Sequence, residues 1–120
     1  SESRSIHMAL IATCQEFDQL AADLHTLRKA IQAEKRPVYT AGGGDIYRNF
    51  RLGAIMTGGT TGTDLAHHLV KQANAVVVLL TNPEINDAEK ATRFADLMNY
   101  TELAYVLWYK GKQHEHPLEE

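Results

Sequence analysis

A chain of 120 residues with 44% apolar and 22% charged residues is one domain's worth of ordinary globular protein, which excludes disorder of the whole. Its uninterrupted apolar run Ala75 to Leu80 has six residues, far short of the roughly 20 that a membrane-spanning helix needs. The net charge is −3, and basic residues cluster only at Arg28-Lys29 and Lys35-Arg36, which argues against a nucleic-acid partner.

The first predicted element is a long helix from Cys14 to Ala33. Phe17, Leu20, Leu24, Leu27 and Ile31 recur at three- and four-residue steps and form one apolar stripe. Thr13 stands where an N-cap belongs, with Glu16 three residues on, and Pro37 follows as a stop. The stripe is long for so small a domain, so the helix is expected to make a twofold homodimer. Pro37 to Ala41 reads as a short strand, followed by Gly42-Gly43-Gly44. Two readings of the next stretch compete: a short helix from Asp45 to Leu52, or a strand from Ile46 to Met56 folded back on 37–41. The β-formers and the glycine-rich turn favour the 37–56 hairpin.

A glycine–threonine loop leads into a helix ending near Gln72, and Ala75 to Leu80 follows almost at once. A fully apolar, β-branched run reads as a central strand covered on both faces, which makes strand, turn, helix and strand a βαβ unit. Asn86 or Asp87 could cap the next helix, Ala88 to Tyr100. Leu103 to Tyr109 reads as a last strand or a continuation of that helix, ended by Gly111. The expectation is a single α/β domain over 9–111, with flexible termini at 1–8 and 112–120. Its core would be a small, mostly parallel Rossmann-like sheet of about four strands. The lone Cys14 forms no disulfide within the chain, and Ser1–His7 is polar with no apolar leader after it. Both features lead to the expectation of a cytoplasmic protein.

The segment richest in chemistry is Thr57-Gly58-Gly59-Thr60-Thr61-Gly62-Thr63-Asp64, with three glycines and four threonines at a helix start. Glycines let main-chain amides approach a ligand, and a helix N-terminus adds unpaired donors and partial positive charge. Such a loop is expected to cradle a nucleotide or another phosphorylated or anionic small molecule. Gly43, Gly44 and Arg48 could form a second wall, the arginine pairing with phosphate. Asp64 could cap its helix or bind a ribose hydroxyl. Glu84, just past the apolar run, could serve as nucleophile or general base, giving a hydrolase or transferase. Adjacent His67 and His68 do not share a helix face, so they suggest no metal site; no metal and no cofactor are expected. The other reading is a non-enzymatic dimeric interaction module, such as a phage or bacterial accessory protein, whose glycines serve turns only.

Met56-Thr57-Gly58-Gly59-Thr60-Thr61-Gly62-Thr63-Asp64-Leu65-Ala66 resembles the strand-Gly-Gly-x-x-Gly-x-Asp-x-x-Ala turn of a Rossmann-like superfamily. That superfamily includes the lonely-guy phosphoribohydrolases and the DNA-processing Smf proteins. The resemblance covers about eleven residues and implies an α/β fold whose turn binds nucleotide phosphates or related ligands. The phosphoribohydrolases' second motif, Pro-Gly-Gly-x-Gly-Thr with a following Glu, is replaced after Leu80 by Thr81-Asn82-Pro83-Glu84. The resemblance therefore implies ligand binding without the hydrolase chemistry.

Overall fold

The computed structural model describes residues 12–85 and 90–113, and among these every regular element is a helix. There are four: α1 (Cys14–Thr40), α2 (Arg48–Thr57), α3 (Thr61–Thr81) and α4 (Lys90–Gln113). The expected α/β sheet is not formed, nor is the Rossmann-like fold that the local resemblance implies. The expected flexible segment 1–8, most of the expected tail (114–120) and the cap at Asn86 or Asp87 lie outside the described residues. Lys112 and Gln113, expected in the tail, belong to α4, which also runs through Gly111.

Each expected strand is helical for an identifiable reason. Pro37 does not end α1, which continues through it to Thr40. A proline inside a helix removes one amide donor, but here tertiary contacts hold the last turn. Thr40 is buried, and the Tyr39 hydroxyl bonds that of Tyr100 at 3.2 Å. α1 ends instead at Ala41, which is left-handed (φ 50°) and donates its N–H to the Pro37 carbonyl. The 37–56 hairpin is replaced by α2, whose buried residues Phe50 and Ala54 are one helical turn apart.

The run Ala75–Leu80 extends α3. Val76 and Leu79 are buried while Val77 and Leu80 are 52% and 69% exposed, a helical phase and not a strand's alternation. No glycine or proline separates it from Leu65, so nothing stops the helix. Likewise Leu103, Ala104 and Leu107 continue one face of α4 onto the core.

The helices form a closed ring of neighbours, α1 beside α4, α4 beside α3, α3 beside α2 and α2 beside α1. Phe50 fills the middle with no exposed surface. Its ring lies 5.6 Å from Tyr39, 5.5 Å from His68 and 6.1 Å from Tyr100, so one side chain touches α1, α3 and α4. His68 also stacks on Tyr100, at 5.7 Å and 8°. α1 and α4 run antiparallel, aligned by Arg28 with Glu102 (3.0 Å), Gln32 with Asn99 (2.9 Å) and Lys35 with Asp96 (3.5 Å). The α1 stripe is partly used inside the chain: Leu24, Leu27 and Ile31 are half-buried, whereas Phe17 and Leu20 are exposed.

Candidate functional site

The glycine–threonine segment is the tight connection from α2 to α3. Gly58 ends α2 in the left-handed region (φ 75°), where a side chain would be strained, and donates to the Ala54 carbonyl. The Gly59 N–H donates to the same oxygen at 3.0 Å. Thr60 and Thr63 then cap α3 reciprocally: the Thr63 N–H donates to Thr60 Oγ1 (3.1 Å) and the Thr60 N–H to Thr63 Oγ1 (2.8 Å). The Asp64 N–H donates to the Thr60 carbonyl. Thr57 Oγ1 donates back to the Gly53 carbonyl. Thr61 is fully buried, and its hydroxyl meets no partner among the described residues. Gly62 lies within the first turn of α3.

The other expected site residues are not brought to this connection. Gly43, Gly44 and Arg48 sit at the opposite end of α2, about 15 Å away at 1.5 Å per residue. Glu84 is exposed beyond the far end of α3, about 30 Å from Thr61 on the same rise. Asp64 turns its carboxylate onto Gly53, where a β-carbon would come within 2.6 Å of it, so glycine lets α2 approach α3 closely. The carboxylate also lies 3.7 Å from His68 Nε2. Arg51 pairs with Asp45, whose other carboxylate oxygen accepts from the Tyr47 N–H, ordering the turn into α2.

Concavity lies elsewhere, in a cleft of about 180 Å³ between α1, α4 and the turn before α2. Ile31, Ile46, Leu103 and Val106 supply apolar walls, and Tyr39, Tyr47 and Tyr100 supply rings. Gln32, Lys35, Arg36, Asp96, Asn99 and Glu102 complete the lining. Three- and four-residue spacing on each helix brings these groups to one face, and the antiparallel register makes the two faces meet.

Most of the polar groups are already partnered. Gln32 Nε2 donates to Asn99 Oδ1 (2.9 Å) and Glu102 Oε1 (2.6 Å), and Asn99 Nδ2 donates to the Arg28 carbonyl (3.0 Å). Burial alone would raise the Glu102 pKa, but the hydrogen bonds from Gln32 and Arg28, with the charges of Arg28 and Lys29, pull it below the ordinary carboxylate value. The Tyr47 hydroxyl donates to the Leu103 carbonyl at 2.8 Å, tying the turn to α4.

Burial, with the nearby Asp45 carboxylate, pushes the Tyr47 pKa up to about 12. Burial and the bond to Tyr100 raise Tyr39 as well. Because the folded values lie above the unfolded tyrosine value near 10, their contribution to stability is complete below about pH 10 and is lost as pH rises toward 12. Denaturation midpoints should therefore fall across that alkaline window, and fall less in Tyr47→Phe. Equal slopes for the two proteins would contradict the buried hydroxyl.

Both tyrosines are donors at neutral pH and not bases. Among the described residues no three of His, Cys, Asp and Glu converge as metal ligands, and none of the described helices is long and apolar enough to cross a membrane. The arrangement is chemically suited to holding a small ring between apolar walls, with polar groups at its rim.

Sequence reasoning missed this site because its two halves lie far apart in the chain, Gln32 meeting Asn99 and Lys35 meeting Asp96. The available signal was a polar and aromatic face on each helix, Gln32, Arg36 and Tyr39 on one and Asp96, Asn99 and Tyr100 on the other. The chain matches no protein-family model, and no curated protein or solved structure is significantly similar to it.

Proposed function

We propose that this protein is a small-molecule-binding helical domain of the cytoplasm, holding an apolar ring in the cleft between α1 and α4. The observation that carries this reading is the cleft itself. It has about 180 Å³ between apolar side chains and tyrosine rings, and about 150 Å³ suffices for a benzene ring. Its two walls are held in register by the Gln32–Asn99–Glu102 bonds, so the site is pre-formed and a ligand pays little to order it. Benzyl alcohol at 100 times its dissociation constant should stabilise the fold by about 2.7 kcal/mol, read as a rise in melting temperature. No rise at millimolar concentrations would remove the reading.

A second reading, self-association as an interaction module, is favoured by the outer side of α3. Thr63, Ala66, Val70, Ala73, Val77 and Leu80 follow the alternating three- and four-residue steps of a helix–helix seam. Val70, Val77 and Leu80 are 68%, 52% and 69% exposed. The flanking positions His67, Asn74 and Thr81 carry no carboxylate, lysine or arginine to repel a second copy. On this reading the wild-type chain has twice its single-chain mass by light scattering, and Val70→Glu with Val77→Glu halves it. A wild-type mass equal to one chain would dispose of it.

A further inference from the structure

The cleft is lined by two cations, Lys35 and Arg36, and two carboxylates, Asp96 and Glu102, but Glu102 is paired by Arg28 from outside the lining; the cation left over points to the ligand's chemistry, and the inference rests on the cleft reading above. Lys35 is matched by Asp96 at 3.5 Å, and Glu102 by Arg28 at 3.0 Å. Asn99 and Gln32 spend their amides on each other, on Glu102 and on the Arg28 carbonyl. Tyr47 spends its proton on the Leu103 carbonyl. Arg36 is different. It lines the cleft and is exposed, and among the described residues its guanidinium meets no carboxylate or other acceptor.

A second unspent donor lies deeper. The hydroxyls of Tyr39 and Tyr100 share one hydrogen bond at 3.2 Å. Two hydroxyls carry two protons, so whichever one donates, the other proton is left over. Neither side chain has another acceptor among the described residues. Arg36 and Tyr39 are three apart on α1, hence on the same face. The cleft thus offers an apolar slot, an unpaired guanidinium and a spare hydroxyl proton, while both of its carboxylates are already paired.

We propose that the ligand is a small aromatic carboxylate. Its ring lies between the tyrosine and aliphatic walls, and its carboxylate pairs with the Arg36 guanidinium and accepts the spare proton of the Tyr39–Tyr100 pair. Arginine matches a carboxylate with two parallel N–H donors, and the apolar slot holds the body that a free inorganic anion lacks.

The test compares three ligands of one size, benzoate, benzyl alcohol and benzylamine, by calorimetric titration of the full chain. Benzoate is expected to bind about tenfold more tightly than benzyl alcohol, as a charge-assisted hydrogen bond would give. Benzylamine is expected to bind most weakly. Arg36→Gln should abolish the preference, leaving benzoate and benzyl alcohol alike, and Tyr100→Phe should reduce it. Because Arg36 is exposed, its replacement does not threaten the fold. Benzyl alcohol or benzylamine binding as tightly as benzoate would overturn the carboxylate assignment while leaving the cleft as a ring site. Binding of none of the three would overturn both.

Discussion

Phe50→Ala should lower the unfolding free energy by about 3–5 kcal/mol, the largest effect expected of any single truncation in this chain. The described core is thin: of its larger side chains only Phe50, Leu65 and Thr61 are fully buried. Phe50 meets rings from three other helices, so truncation leaves a cavity bordered by elements that cannot all close on it at once. Typical domains have only about 5–15 kcal/mol in total, and the variant should therefore unfold at a much lower urea concentration. Phe17→Ala provides the contrast. It removes the same side chain where it is 66% exposed, and it should change stability by less than about 0.5 kcal/mol. Similar losses in the two variants would mean that the ring of helices is not centred on Phe50.

The second large effect belongs to Asn99→Leu, expected to cost about 1–3 kcal/mol. Asn99 is only 9% exposed and is held from both sides, accepting from Gln32 and donating to the Arg28 carbonyl. Leucine fills a similar volume but offers neither bond, so the half-buried Gln32 Nε2 loses one of its two acceptors and keeps Glu102. Arg28 Nε is already buried without a partner among the described residues, which leaves this part of the α1–α4 contact little reserve. Equilibrium urea unfolding measures the loss. A neutral or stabilising result would show that these bonds set no register between α1 and α4. Glu102→Gln separates the charge from the geometry. The depressed pKa of Glu102 gives stability that is present above the ordinary carboxylate value of 4.5 and lost as pH falls through the lower folded value. The glutamine variant should lose that acid dependence.

How far the fold could be read from the residues depended on whether apolar positions carried a phase. The α1 stripe did, and Thr13 caps that helix as its position predicts, accepting from the Glu16 N–H at 3.0 Å. The start of α3 was legible too, where Thr60 and Thr63 each accept the other's main-chain N–H. Ala75–Leu80 carried no phase, because an unbroken apolar run fits a buried strand and a buried helix equally. What decides between them is the uninterrupted chain from Leu65, which lets α3 propagate and place Val76 and Leu79 inward. In 46–56 the helical spacing of Tyr47, Phe50 and Ala54 was present, but β-forming neighbours and three glycines obscured it. Leu103–Tyr109 is helical because Leu103 and Leu107 meet the core one turn apart, a fact of packing and not of local preference.

The cleft was illegible for a different reason. Its residues are ordinary surface-helix residues until α1 and α4 are set antiparallel. Only then do Lys35 and Asp96 cancel, Gln32 and Asn99 meet, and Arg36 remain uncompensated.

The most direct measurement is amide chemical-shift mapping of the isotope-labelled chain during a benzoate titration. Saturable shifts should gather on residues 31–39, 46–47 and 96–106. Those of 58–64, whose amides are largely bonded within their own turn, should stay still. Shifts concentrated on 58–64 with the α1–α4 cleft unmoved would contradict the account.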